Sequence, residues 1–259
     1  MKKFVFLALL AITFGCTSPK KQAEQQTDPN PAAEGFNETG SDQEAISLAD
    51  SVMAAMGGRK NYDEIRYIAW NFFGARDLIW DKYTGRVRID VPSRKTSYLV
   101  NINTLEGKII KDSSEITNPD SLQFYLKRAK DIWINDSYWL VMPFKLKDSG
   151  VTLKYSREDT TASGIVADVL TLTFENVGST PNNKYEIYVD KADHLVKQWA
   201  YFKEANQKTP SAIWPWDNYK EYDKVLLSAD RSDGKGPHNV RVFQVLPDEV
   251  FTSFDKPAL

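Results

Sequence analysis

Two histidines, one cysteine and 35 acidic residues are the material available for chemistry in this chain of 259 residues. His194 closes the run Lys191-Ala192-Asp193-His194, which reads as a hairpin turn, and His238 lies in a Pro-His-Asn loop. Two such residues leave little for a His-rich metal centre, and the single cysteine, Cys16, excludes both an intrachain disulfide framework and a Cys-based zinc site. None of the G-x-S-x-G, H-E-x-x-H, Walker A or G-x-G-x-x-G patterns occurs. A catalytic triad is defined in space and not by order, but nothing in the chain marks one. Asp168 shares a strand face with Val166, Leu170, Leu172 and Phe174. Desolvation there would raise its pKa toward general-acid work, whereas a place at the sheet rim beside a cation would leave it structural. The loop 230–236 lacks the alternating oxygen ligands of a calcium site. The sequence therefore predicts no catalytic residue, no metal and no cofactor. What it holds in quantity is aromatic surface: 13 Phe, 12 Tyr and 7 Trp, enough to line a cavity or stack on a ligand. A net charge of −2 excludes a chain that is basic overall and built for nucleic acid.

The elements that carry these residues follow a leader. Met1-Lys2-Lys3 is basic and residues 4–14 are almost uninterruptedly apolar. That run is shorter than the roughly 20 residues a membrane-spanning helix needs. Its length and flanks predict a signal peptide over residues 1–15. Gly15-Cys16 resembles the lipobox of bacterial lipoproteins, with Thr13 where that pattern usually carries leucine. The resemblance implies acylation at Cys16, which becomes the new N-terminus, and each buried acyl CH₂ adds about 0.8 kcal/mol of membrane affinity. Thr17 in place of aspartate resembles the sorting pattern of outer-membrane lipoproteins. Residues 16–41, polar and rich in Pro and Gly, read as the lipidated cysteine and a disordered tether. A folded domain over 42–259 then sits near a membrane surface, facing the periplasm.

Within that domain, Ser41-Asp42-Gln43-Glu44 has a capping-box pattern and the apolar spacing predicts a helix over 42–56. The period then changes to two. Residues 66–75, 78–84, 86–91, 96–101 and 107–111 read as a strand meander, with Ile68, Trp70 and Phe72 on one face. Asn118-Pro119-Asp120 predicts the start of a second helix over 119–134. A separate apolar segment follows at 138–144. Strands resume at 152–157, 166–174, 185–190, 195–202, 214–222, 224–229 and 240–246. Hairpin connections without βαβ repeats favour antiparallel pairing.

The helix ending Ala55-Met56-Gly57-Gly58, the aromatic meander, the helical insertion and the hairpin Tyr185-Glu186-Ile187-Tyr188-Val189-Asp190 to Leu195-Val196-Lys197-Gln198-Trp199 together resemble the LolA/LolB-like superfamily. Residues 139–146 with Asp148-Ser149-Gly150-Val151 resemble a segment of a Bacteroidetes lipoprotein family associated with that fold. The resemblance spans residues 42–246. It implies an α+β fold: an unclosed antiparallel β-barrel of about ten or eleven strands with helices on its concave face. It also implies an apolar cavity that takes the acyl chains of lipids or lipoproteins.

Trp70, Phe72, Trp80, Ile89, Trp133 and Trp139 are the expected lining of such a cavity. Burying about 14–16 carbons at about 0.8 kcal/mol each gives on the order of 10 kcal/mol before ordering costs. Alternation alone is equally satisfied by a packed core. The expected function is non-catalytic binding of an apolar ligand by a protein held at the membrane through its lipid anchor, with no nucleic-acid partner. The alternatives are a glycan binder, stacking sugars on the Trp214-Pro215-Trp216-Asp217-Asn218-Tyr219 segment, and a scaffold lipoprotein.

Overall fold

The period-two segments become three antiparallel sheets in the computed structural model, which describes residues 28–175, 182–232 and 234–259. The leader, Cys16 and the tether up to residue 27 lie outside the described residues. Two helices come first, α1 (Gln43–Ala55) and α2 (Arg59–Glu64). The meander is β1 (Tyr67–Phe72), β2 (Arg76–Asp81), β3 (Arg86–Val91), β4 (Thr96–Asn101), β5 (Glu106–Lys111) and the short β6 (Ser114–Glu115). After the long helix α3 (Pro119–Val141) come β7 (Val151–Thr160), β8 (Val166–Phe174), β9 (Lys184–Asp190), β10 (Val196–Phe202) and β11 (Ala212–Pro215). The hairpin β12 (Tyr219–Tyr222) and β13 (Val225–Ser228), then β14 (Pro237–Phe243) and α4 (Glu249–Thr252), complete the chain.

The first sheet has seven strands in the order β14-β1-β2-β3-β4-β5-β6, the second has five in the order β11-β10-β9-β8-β7, and β12-β13 stand apart. The architecture is α+β, with large antiparallel sheets not closed into a barrel. The described strands number fourteen, more than the ten or eleven expected: β6 is an addition, and the expected segment 214–222 is two strands in two sheets. Asn218, with φ +53°, turns the chain between them.

Alternation places the core as the sequence predicts. Ile68, Trp70 and Phe72 of β1 join the main core with Val87, Ile89 and Val91 of β3. Tyr67 and Ala69 point the other way, into a small cluster with Ile79, Val250 and Phe251 under α4. Arg88, 2% exposed, holds that outer layer by donating to the carbonyls of Val250, Ser253 and Phe254 while pairing with Asp90.

Three expectations need correction. The second helix continues to Val141, so the apolar segment at 138–144 is its last turn and a following 3-10 turn, Met142–Lys145. Asn135-Asp136 does not break it, because Asp136 is buried and tied to β2. The capping box at Ser41 is not formed. Asp42 is the N-cap of α1 without a side-chain cap bond, its carboxylate taken by Lys154 and the Tyr155 N–H. Residues 28–41, read as tether, lie along β7 and the turn before it. Ala33 N–H donates to Lys147 O at 2.9 Å, Asn37 N–H to Val151 O at 3.0 Å and Asp42 N–H to Leu153 O at 2.9 Å. Lys147, 6% exposed, pairs with Asp28 and Asp50. The polar composition that suggested disorder is used in these bonds.

Gly57 is required where α1 meets the β12-β13 hairpin. Its φ is +103°, a side chain there would meet the Lys224 carbonyl at 2.2 Å, and Leu226 N–H donates to Met56 O beside it. Among the described residues no helix is long and apolar enough to cross a membrane.

Asp81 organises the turn after β2. Burial raises its pKa, but hydrogen bonds from Arg66, Thr84 and the Tyr83 N–H outweigh that and hold it below the ordinary 3.8. A depressed folded-state pKa contributes stability that is complete above the unfolded value and lost as pH falls through the folded one. Asp81→Asn is therefore expected to lower the thermal midpoint at neutral pH and to flatten its fall below about pH 4, measured by scanning wild type and variant across that range.

Candidate functional site

Helix α3 packs on β4, β5 and β13, and aromatic side chains mark its route. It starts cleanly: Asn118 accepts from the Ser121 N–H at 3.0 Å, Pro119 fills the first position and Asp120 complements the dipole. At about 1.5 Å per residue it is roughly 35 Å long. Its first turns pack over β4 and β5, with Tyr125 6.3 Å from Tyr98. Trp133 then meets Trp80 of β2 edge-to-face at 5.1 Å. Three residues on, the carboxylate of Asp136 accepts two parallel bonds from Arg76, at 2.7 and 2.9 Å, and a third from Asn135. Burial pushes the Asp136 carboxyl up, against the pull of these donors.

The last turns enter a denser group. Trp139 touches Phe72 (6.0 Å), Phe73 (5.1 Å), Trp199 (4.6 Å) and Trp214 (5.7 Å), all edge-on. Tyr185 lies flat on Trp199 at 5.0 Å, and Trp199 meets Trp216 at 5.4 Å. Each such pair adds about 0.5–1.5 kcal/mol beyond area burial. Behind them Arg231, 2% exposed, lays its guanidinium 3.6 Å from the Trp216 ring centroid. Its Nε donates to Ser228 Oγ at 2.8 Å and its Nη2 to the Trp139 carbonyl. Burial pulls the Arg231 pKa down to about 9, and pushes the phenols of Tyr138 and Tyr219 well up and that of Tyr185 up to about 12.

Of the six expected lining residues, all belong to one continuous core. Trp70, Phe72 and Ile89 are buried in it, while Trp80, Trp133 and Trp139 are only half-buried. The structure brings Trp80 to Trp133 and Phe72 to Trp139. Two surface hollows lie elsewhere. One, of about 480 Å³, is beside Phe124, Lys127 and Leu105; the other, of about 780 Å³, is between residues 28–31 and α2.

Asp168 sits at the rim, accepting from Tyr155 Oη at 2.9 Å and facing Lys191 at 3.7 Å. His194 is an exposed turn residue with φ +57°, and His238 faces Asp230 at 3.3 Å. Trp216, offered for stacking on sugars, is fully buried between Trp199 and Arg231 and presents no face to a sugar. Sequence reasoning missed Phe73, Tyr138, Trp199 and Arg231 as members of the site. Nothing local in Asp230-Arg231-Ser232 signals a buried cation.

No family model and no curated protein matches the chain. Solved structures similar to it include a DUF1329 family protein from Desulfovibrio piger, at 13% identity and a TM-score of 0.44, covering 81% of this chain and 97% of the other. A domain from Vibrio parahaemolyticus named for outer membrane lipoprotein sorting is similar at 10% identity and a TM-score of 0.39, covering 81% and 96%. A LolA superfamily protein from Nitrosomonas europaea is similar at 11% identity and a TM-score of 0.28, covering 81% and 97%.

The Arg76–Asp136 pair yields an asymmetric expectation. Asp136 is wholly buried and Arg76 is 26% exposed, so Arg76→Ala strands a carboxylate while Asp136→Ala frees a cation that reaches water. Urea denaturation is expected to show a loss of about 3 kcal/mol for Arg76→Ala and a smaller one for Asp136→Ala, with the double variant falling short of the sum.

Proposed function

We propose that the protein is a lipid-anchored component of the cell envelope that binds an acyl chain or similar apolar ligand without catalysing a reaction. The observation that carries this reading is how the half-buried rings are oriented. In Trp80, Trp133 and Tyr138 the polar atom is buried and unpaired while part of the side chain remains accessible. An ordinary surface tryptophan or tyrosine keeps its polar tip in water. Here the accessible part of each side chain is hydrocarbon, which suits contact with an alkyl chain. Trp80, Trp133 and Trp139 serve as the contact surface, and Trp70, Phe72 and Ile89 back it. The reading also draws on the sequence resemblance to acyl-chain carriers and on the leader ending at Cys16, whose acylation would hold the domain at the outer membrane, facing the periplasm.

Protein purified under native conditions is expected to carry lipid detectable by native mass spectrometry, and delipidated protein to bind a fluorescent fatty-acyl probe. Trp139→Ala should weaken that binding about tenfold or more, since it removes a large apolar contact. Ile89→Ala should instead lower stability by about 2–4 kcal/mol and leave the affinity of the folded protein unchanged. Absence of both retained lipid and probe binding would overturn the reading. Cys16→Ala is expected to move the protein from the membrane fraction to the soluble fraction on cell fractionation; continued sedimentation with membranes would remove the anchor from the proposal.

A further inference from the structure

The interior of the aromatic group holds hydrogen-bond donors without acceptors. Arg231 Nη1 has no hydrogen-bond partner, and neither have the indole N–H groups of Trp216, whose ring the guanidinium covers, and of Trp199, whose ring meets that of Trp216. Among the described residues no carboxylate comes within ion-pairing distance of Arg231. Asp217 acts on it only through space, its carboxylate accepting from the Ser232 N–H at 3.0 Å and from Ser232 Oγ. Ser228, whose hydroxyl oxygen accepts from Nε, donates a hydrogen bond to the Asp217 carbonyl at 2.6 Å. The arginine is thus 2% exposed, hydrogen-bonded through two of its nitrogens and without a hydrogen-bond partner on the third, which lies beside Gly236. A buried cation without a counter-ion costs several kcal/mol, which argues for a role that only a charge can fill.

We propose that Arg231 Nη1 receives the carboxylate of a long-chain fatty acid, assisted by the indole N–H groups of Trp199 and Trp216, with the alkyl tail lying along the aromatic seam. This rests on the apolar-ligand reading above and narrows it to an anionic head. Guanidinium and indole are donors only, and a carboxylate is an acceptor only, so the two sets complement each other. A hydroxyl or sugar head would bring donors of its own into a place that already lacks acceptors. Among the described residues no carboxylate pairs directly with this charge, which matches a monoanion. Lys235, with Nζ 4.4 Å from the Trp214 ring centroid, adds positive potential at the exposed side of the same group.

The test is a titration of the delipidated full chain, followed by intrinsic tryptophan fluorescence, with dodecanoate, dodecanol and dodecyl phosphate. Dodecanoate is expected to bind about tenfold or more tightly than dodecanol, the range of one charge-assisted hydrogen bond in a buried site. Arg231→Met should bring the two to near parity, weakening dodecanoate by about tenfold more than dodecanol. Equal affinities in the wild type, a preference that survives Arg231→Met, or a stronger preference for dodecyl phosphate would overturn the carboxylate assignment while leaving acyl binding standing. Failure of all three ligands to bind would overturn the apolar-ligand reading as well. Should Arg231→Met not fold, the wild-type comparison of acid with alcohol decides alone.

Discussion

Asp136 lies on α3 with its carboxylate out of water, and the two parallel bonds from Arg76 make that position tenable. The pair fixes both the height and the rotation of a 23-residue helix against β2. Everything on the concave side follows from that registration. With Asp136 over Arg76, Trp133 one turn earlier falls on Trp80, and Trp139 one turn later reaches Phe72 and the second sheet. A hydrophobic contact at the same place would be free to slide by a fraction of a turn. An ion pair with bidentate geometry is not.

The helix so placed reaches both large sheets, and it leaves aromatic rings half-covered along its flank. Buried polar atoms without partners gather in the interior: indole N–H groups at Trp70, Trp80, Trp133, Trp199 and Trp216, one arm of Arg231, and the phenol of Tyr138, which can accept as well as donate. Packing alone does not favour such an excess, because every unpaired buried donor costs about 1–3 kcal/mol. The apolar outline and the donor surplus are two aspects of one arrangement, and the amphiphile proposed above, with an acceptor-only head, would answer both.

Much of the scaffold was legible in the residues. Alternation assigned Ile68, Trp70 and Phe72 to one face, Asn118 marked the start of α3, and the turn at residues 191–194 was readable because it combines strand periodicity with turn chemistry. What escaped depended on partners distant in sequence. Asn135-Asp136 looks like a helix stop until Arg76, 60 positions away, is brought against it. Ser41 looks like a cap until the Leu153 N–H is brought to its hydroxyl instead. Arg231 sits in a Gly-rich loop, where an arginine is expected in water; only the folded sheet order stacks it on Trp216. Charge and burial are coupled through space, and local composition is silent on that coupling.

The segment 28–41 has a consequence for how the molecule behaves among its own kind. β7 is the outermost strand of the five-stranded sheet and, at ten residues, the longest in the chain. Left bare, such an edge is a template on which another copy could add a strand. Here Asn37, Ser41 and Asp42 occupy its Val151, Thr152, Leu153 and Tyr155 positions with a mixture of backbone and side-chain bonds. Because those bonds do not form a regular ladder, the segment ends the sheet and does not extend it. The first half of the β7 margin is thereby closed to edge-to-edge pairing.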